Sequence, residues 1–172
     1  MKLTVKRLDR DGRYETLIAR DDGVNFHVKG VGHNFAIPHD IAHLVVEKAL
    51  RIRNGFWGSI ADGAVFPSMI YTGGRRKPKA AERSKELLKA NARQLNEAEV
   101  LVRIFNDTIE QGHQEDSAAI DCRLKERMAP PGQRPREISK TDISEVFAAY
   151  RAMLSKWKYL PVNGALDLHW KH

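Results

Sequence analysis

Alternating apolar and polar positions dominate the first thirty residues. The segments LTVKRL, RYETLIAR and VNFHVKG contain strand formers, and the turn sequences DRDG and DDG separate them. Loops of this size between short alternating runs predict a three-stranded antiparallel meander. The tail VNGALDLHWKH has a pattern that can add one more strand.

A helical spacing of apolar positions replaces this alternation after Pro38, which suits the first turn of a helix. The pattern predicts a helix from about residue 38 to 53, with Ile41 and Val45 on its apolar side. The segment YTGGRRKPKAAERSK follows and has the composition of a hinge.

The second half of the sequence is predicted to be mostly helical. One long helix is expected from Ala80 to Gln111, a shorter one in EDSAAIDCRLKERM, and another from Thr141 to about Lys156, with the proline-rich linker APPGQRPR between the last two. Strands followed by helices predict one α+β domain over 1–172. Residues 1–70 would form the meander with the first helix, and residues 80–160 the helical part.

Composition narrows the class of protein. Apolar residues make up 42% of the chain and charged residues 30%, as in folded soluble proteins. No apolar run approaches the roughly 20 residues that span a bilayer, and the sequence MKLTVKRLDRDGRYE has no hydrophobic segment of a secretory signal. The single cysteine, Cys122, fits a reducing compartment. These observations predict a cytosolic protein.

The net charge of +7 is unevenly distributed. Residues 71–93 carry eight Lys/Arg against two Asp/Glu, residues 94–122 one against seven, and residues 123–140 six against two. An acidic block between two basic blocks can be neutralised within the chain or by a second copy. The overall positive charge is therefore weak evidence for a nucleic-acid partner.

Nucleic-acid binding is nevertheless the alternative hypothesis for function. Its interface would be the basic blocks 73–93 and 123–140, where Arg75, Arg76 and Lys77 could contact phosphates. No aromatic residues interleave with these cations, and no recognised nucleic-acid motif accompanies them. A solvated hinge explains the same composition.

The main functional hypothesis concerns His39 and His43, four residues apart on the polar side of the first predicted helix. This spacing allows one metal ion to bind both rings, as in the H-E-x-x-H helix of zinc peptidases. Asp40 occupies the position of the catalytic glutamate there but is one methylene shorter. Three interpretations remain open: a solvated or hydrogen-bonded helix face, a site for Zn²⁺ or another divalent ion or ligand, and metal-free acid–base chemistry. A metal-dependent hydrolase is the first hypothesis for an enzyme.

The third ligand is open at this stage. Glu47 lies about 12 Å along the helix axis from His39, which is too far to share an ion with it. Glu47 could instead orient His43 or pair with Arg51. Side chains elsewhere that could complete the site are His33, Asp62, His113, His169 and His172.

The segment HDIAHLVVEKALRIRNGFWGSIADGAVF, within about residues 37–66, resembles a group of small, functionally unassigned bacterial proteins. These carry H-D-[LI]-x-H-x-x-V-E followed by G-F-W-G. The resemblance implies a bacterial cytosolic protein and supplies no activity. Within G-F-W-G, Trp57 and its flanking glycines could form the lip of a ligand pocket beside Glu47 and the histidines. The alternative is a helix end followed by core aromatics.

Self-association through the 80–111 helix is also predicted. Its basic half comes first and its acidic half second, the reverse of what the helix dipole favours. Two such helices packed antiparallel would pair opposite charges across a seam of Leu88, Leu95, Val102 and Ile109. The sequence therefore predicts a homodimer, with neutralisation by residues 123–140 of the same chain as the alternative.

Overall fold

The computed structural model describes residues 1–30, 36–112, 120, 123 and 137–171. The predicted meander is present, and one further strand joins each of its edges. The strands are β1 (Lys2–Arg7), β2 (Tyr14–Ala19), β3 (Asn25–Gly30), β4 (Ile70–Gly73) and β5 (Ala165–His169). Their order is β4-β3-β2-β1-β5, and every neighbouring pair is antiparallel. The tail thus adds a strand as predicted, whereas residues 71–73, assigned to a hinge, belong to β4.

The register of the sheet separates a buried face from an exposed one. Leu3 pairs with Ile18, and Ile18 pairs with Phe26, so these three buried side chains form a row that faces the helices. The next row contains Leu17 opposite His27, and Leu17 is exposed. Alternation along each strand therefore places one face of the sheet in the core, as the sequence pattern predicts.

Four helices pack on the buried face among the described residues: α1 (His39–Ala49), α2 (Phe56–Asp62), α3 (Ala80–Glu110) and α4 (Lys140–Lys158). With the strands they make an α+β fold, as predicted. None of the described helices is long and apolar enough to cross a membrane. The predicted helix EDSAAIDCRLKERM and the proline-rich linker lie almost entirely outside the described residues.

Helix α1 ends earlier than predicted because the backbone reverses at Arg51, which adopts a left-handed φ of 54°. The amide of Ile52 then donates to the carbonyl of Glu47 over 2.8 Å, closing the end of the helix. Helix α2 begins a few residues later, at Phe56, in the segment for which the sequence suggested a helix end followed by core aromatics.

Helix α1 is buried on both its apolar and its polar sides. Ile41 and Val46 belong to the main core with α3 and α4, as the periodicity predicts. Asp40, His43 and Glu47, on the polar side, are also buried. Of the interpretation of this side as a solvated or hydrogen-bonded helix face, the solvated form is therefore wrong for these three residues, which are hydrogen-bonded instead.

The buried stripe of α3 differs from the predicted seam. Ser84 and Asn91 are buried in its first half, where Leu88 and Leu95 are only partly buried. The hydroxyl of Ser84 accepts from the amide of Val65, and the Asn91 amide donates to the hydroxyl of Ser59. Polar side chains with satisfied hydrogen bonds thus occupy the contact with α2 and its following loop.

The second half of the predicted seam belongs to the chain's own core. Val102 is fully buried and Ile109 nearly so, within the cluster that joins α1, α3 and α4. These two side chains are therefore not free to contact a second copy. The homodimer stays a prediction, but this seam does not supply its interface over the acidic half of α3.

Candidate metal centre

His39 and His43 lie one turn apart on α1, and their rings meet edge to face with centroids 4.6 Å apart. The carboxylate of Glu99, on α3, reaches both rings. Its Oε1 lies 3.5 Å from Nε2 of His39, and its Oε2 lies 3.1 Å from Nε2 of His43. One potential ligand atom from each of the three side chains lies within 4.8 Å of the other two. Helices α1 and α3 therefore form a His–His–Glu cluster.

Glu99 was not among the candidates for the third ligand. Of those candidates, Asp62 ends α2 and lines a separate cavity, while His169 lies on β5 opposite Lys2. His33, His113 and His172 fall outside the described residues. Glu99 stands 56 residues after His43, and no spacing in the sequence links the two. In the sequence, Glu99 was distinguished only by its place in the acidic half of the long helix.

The fully buried carboxylate of Glu47 holds His43 in place from the other side. Its Oε1 accepts from Nδ1 of His43 over 2.9 Å. The same carboxylate accepts from the amide of Phe56 at 2.8 Å and from that of Trp57 at 3.1 Å, in the first turn of α2. The hydrogen bond that the sequence-based option for Glu47 requires, from Nδ1 of His43, is therefore present. Arg51 pairs with Asp142 and Glu145 of α4 instead.

The glycines of G-F-W-G have a steric role next to this carboxylate. A Cβ on Gly55 would lie 2.6 Å from Cδ of Glu47, and one on Gly58 would lie 1.5 Å from the carbonyl oxygen of Arg53. Real side chains do not tolerate such distances. Glycine at both positions therefore lets α2 approach α1 closely enough for its first amides to reach Glu47.

The hydrogen bonds within the cluster favour a protonated His43 and an ionised Glu99. Burial opposes a charge on His43, but its hydrogen bonds to Glu47 and Glu99 outweigh burial and raise the pKa of the ring to about 9. The hydrogen bonds from His39 and His43 in turn hold the pKa of Glu99 far below its ordinary value. Because Nδ1 of His43 faces a carboxylate, the proton that a metal ion would displace is the one on Nε2.

Asp40 does not occupy the position expected of a general base. Its carboxylate accepts from the hydroxyl of Thr16, on β2, over 2.9 Å, and it lies outside the His–His–Glu cluster. Burial raises the pKa of this carboxyl, although the hydrogen bond from Thr16 opposes the shift. The proposed analogy with the catalytic glutamate of H-E-x-x-H helices is therefore wrong for Asp40, because its side chain is engaged with the sheet.

Trp57 is a core residue rather than the lip of a pocket. Its ring is buried, and its indole N–H donates to the carbonyl oxygen of Asp40 over 2.8 Å. The aromatic ring that contacts the cluster is Phe56, whose centroid lies 5.2 Å from that of His43. The interpretation of this segment as core aromatics after a helix end is the better one for Trp57.

The basic residues of the nucleic-acid hypothesis lie at a distance from the histidines. Arg75, Arg76 and Lys77 are all exposed, and the last two also line a cavity beside the start of α3. Most of the second basic block, 123–140, lies outside the described residues. The described residues therefore include the whole of the first basic block but only residues 123 and 137–140 of the second.

Comparison of the chain with protein-family models, with curated proteins and with solved structures gave no significant match. The resemblance of residues 37–66 to small bacterial proteins thus stays a prediction, and the argument for function rests on the geometry of the cluster.

Proposed function

We propose that this protein binds one divalent metal ion, with Zn²⁺ as the first choice, through Nε2 of His39, Nε2 of His43 and the carboxylate of Glu99. Two histidines and one carboxylate are a ligand set of catalytic zinc sites and of non-haem iron sites. The observation that carries the proposal is that all three groups converge on one point from two helices.

The distances support this ligand set. Ligand atoms bound tetrahedrally at zinc's usual bond lengths of about 2.0–2.1 Å lie roughly 3.3 Å from one another. Oε2 of Glu99 lies 3.1 Å from Nε2 of His43 and Oε1 lies 3.5 Å from Nε2 of His39, so the carboxylate must rotate for one oxygen to lie near that distance from both rings. The three groups, whose ligand atoms lie within 4.8 Å of one another, would close around an ion by rotation of their side chains.

The contact between His43 and Glu47 is a second supporting feature. Metal-binding histidines usually donate their other ring N–H to a carboxylate or carbonyl, which fixes the tautomer and the ring orientation. Glu47 accepts from Nδ1 of His43 and is itself held by two backbone amides. Once a metal ion displaces the proton on Nε2, the lone pair of that nitrogen would be directed towards Glu99 and His39.

Partial exposure favours an open coordination position. The side chains of His39 and Glu99 are 34% and 45% exposed, so solvent and small molecules reach the cluster. A divalent ion held by three protein side chains lowers the pKa of water in its remaining position and supplies a nucleophile at neutral pH. A metal-dependent hydrolase is therefore the reaction class that we propose first.

Metal analysis of protein purified without an affinity tag tests the proposal. We expect about one equivalent of zinc or another first-row divalent ion in the wild type. His43→Ala should retain less than about one tenth of that, because a site with three protein ligands loses most of its affinity when one of them is removed. His27→Ala is the matched control, since His27 also contacts a glutamate, Glu15 at 3.1 Å, but on the sheet.

Two results would contradict the proposal. One is a wild-type protein that neither retains metal nor binds added Zn²⁺, Fe²⁺, Mn²⁺ or Co²⁺ in a calorimetric titration. The other is equal metal content in the wild type and in a His39→Ala/His43→Ala variant. The nucleic-acid alternative remains a separate prediction.

A further inference from the structure

A cavity of about 600 Å³ lies between the β2–β3 turn, the loop after α2 and the first turns of α3. This volume is in the range of pockets that bind small molecules. Apolar side chains line its interior, among them Val24, Phe26, Phe66, Met69, Leu87 and Leu88. The cavity can therefore bury a hydrophobic body of one or two rings.

Cations outnumber acids in the cavity wall. Five basic residues line it, Arg20, Arg76, Lys77, Arg83 and Lys85, against Asp22 and Asp62. Arg20 is neutralised by its ion pair with Asp22. Two acids cannot balance five cations, so the wall has an excess of three positive charges.

The position of Arg76 shows how the charge and the apolar surface meet. Its guanidinium lies 4.2 Å from the ring centroid of Tyr71 and 5.8 Å from that of Phe26, over the faces of both rings. Cation–π contacts hold the cation beside the apolar interior. Ala80 and Ala81, in the first turn of α3, also line the cavity, and the amides of that turn favour a negative charge.

The cavity is separate from the proposed metal centre. Leu88 and Glu99 are eleven residues apart on α3, which is about 16 Å along the helix axis. Two rings stand between the sites, because Phe66 in the cavity wall packs on Phe56, and Phe56 packs on His43. Binding in the cavity therefore does not depend on a metal ion.

We propose that this cavity binds a small molecule with an apolar body and a phosphate headgroup. Burial of the body supplies affinity in proportion to the apolar area removed from water. The headgroup would lie at the rim, near Arg76, Lys77, Arg83 and Lys85. An excess of three positive charges in the wall suits a phosphate monoester dianion better than a carboxylate.

Calorimetric titration with 1-naphthyl phosphate tests this inference. The headgroup and the body are tested apart with inorganic phosphate and 1-naphthol, and 1-naphthoate supplies a carboxylate on the same body. We expect 1-naphthyl phosphate to bind at least about tenfold more tightly than any of the three at low ionic strength, because only it satisfies both parts of the cavity.

Three variants locate the binding site. Arg76→Ala/Lys77→Ala removes two rim cations and should weaken binding of 1-naphthyl phosphate by about tenfold or more. Ala81→Glu places a negative charge at the exposed edge of the cavity, where an acid suits the first helical turn, and should also weaken binding. Lys89→Ala/Arg93→Ala is the matched control, since it removes the same charge from exposed positions of α3 outside the cavity.

Several outcomes would overturn the inference. These are no binding of 1-naphthyl phosphate, equal binding of 1-naphthol, and equal losses in the rim and control variants. Binding of 1-naphthoate as tight as that of the phosphate would overturn the choice of headgroup. Loss of binding in a His39→Ala/His43→Ala variant would place the phosphate at the histidines instead, whereas unchanged binding there supports a separate cavity site.

Discussion

Glu47 and His43 form the contact that joins the candidate metal centre to the packing of α2. The carboxylate accepts from Nδ1 of His43 at 2.9 Å and from two amides of α2 at 2.8 and 3.1 Å. One buried side chain therefore orients a proposed ligand. It also accepts hydrogen bonds from the first backbone amides of α2, a helix whose N-cap residue supplies no side-chain hydrogen bond. Changes at Glu47 should affect metal binding and stability together.

We expect Glu47→Gln to lower the free energy of unfolding by about 2 kcal/mol, because an amide has one acceptor oxygen for three buried donors. Affinity for Zn²⁺ should fall by about 10- to 100-fold, as is usual when the carboxylate behind a ligating histidine is lost. Urea unfolding and competition with a chromophoric chelator measure the two effects. Glu15→Gln, beside His27, is the control. Zinc affinity within twofold of the wild type would contradict the role of Glu47.

Gly55→Ala should be strongly destabilising, by about 2–4 kcal/mol, since the new methyl group would overlap the carboxylate of Glu47 and separate α2 from α1. Chemical denaturation provides the measurement. Gly73→Ala is the matched control, because the nearest atom to its added Cβ lies 3.9 Å away. If the two variants were equally stable, the close approach of α2 would not be a requirement of the fold.

The stability of the metal-free protein should depend on the titration of His43. Its pKa is raised from 6.5 to about 9 on folding, so the stabilisation is fully present below pH 6.5 and is lost as the pH rises through 9. The free energy of unfolding should therefore decrease between pH 6.5 and 9, by on the order of 3 kcal/mol. His43→Gln should remove most of this slope, and His27→Gln should keep it.

Metal binding should show the opposite trend with pH. Zn²⁺ must displace the proton on Nε2 of His43, so its affinity should increase by about tenfold per pH unit up to the pKa near 9. Calorimetry in buffers of different protonation enthalpy measures the released proton directly. A pH-independent affinity between pH 6.5 and 8.5 would exclude His43 as a ligand.

Only part of the seam that predicted the homodimer is suitable for testing it by substitution. Val102→Lys would place a charge in the chain's own core and unfold it, so it gives no information about association. Leu95 is only partly buried, and Leu95→Lys leaves the core intact. If the first half of α3, as far as Leu95, forms the interface, sedimentation should show a species of about twice 19.5 kDa for the wild type and a shift towards monomer for Leu95→Lys. A wild-type monomer at tens of micromolar would contradict the dimer.

Local sequence patterns were sufficient to predict most of the strands and helices of this fold, but they did not predict what surrounds α1. Alternation and turn residues predicted the meander, and the spacing of Ile41 and Val45 predicted which side of α1 enters the core. The same spacing placed His43 and Glu47 on a polar side without indicating what would cover it. Helices α2 and α3 cover that side, and their packing depends on contacts between distant parts of the chain.

The composition of α3 explains why its buried stripe was misplaced. Sequence periodicity weights large apolar side chains, so Leu88 and Leu95 predicted the contact surface in the first half of the helix. Ser84 and Asn91 are buried instead, because each makes a hydrogen bond to α2 or its following loop. Glu99, eight residues after Asn91, was missed as a ligand for the same reason. The spacing of apolar residues does not indicate which side chains a polar residue contacts.

Strand β4 has a consequence for behaviour at high concentration. It forms one edge of the sheet as described, and Ile70 and Tyr71 on it are exposed. An uncovered edge with apolar side chains is a template for pairing with another chain and for fibril growth. This edge is only four residues long, and the cations Arg75, Arg76 and Lys77 follow it directly. We therefore expect mutual repulsion between these cations to keep copies of the protein from joining their sheets edge to edge.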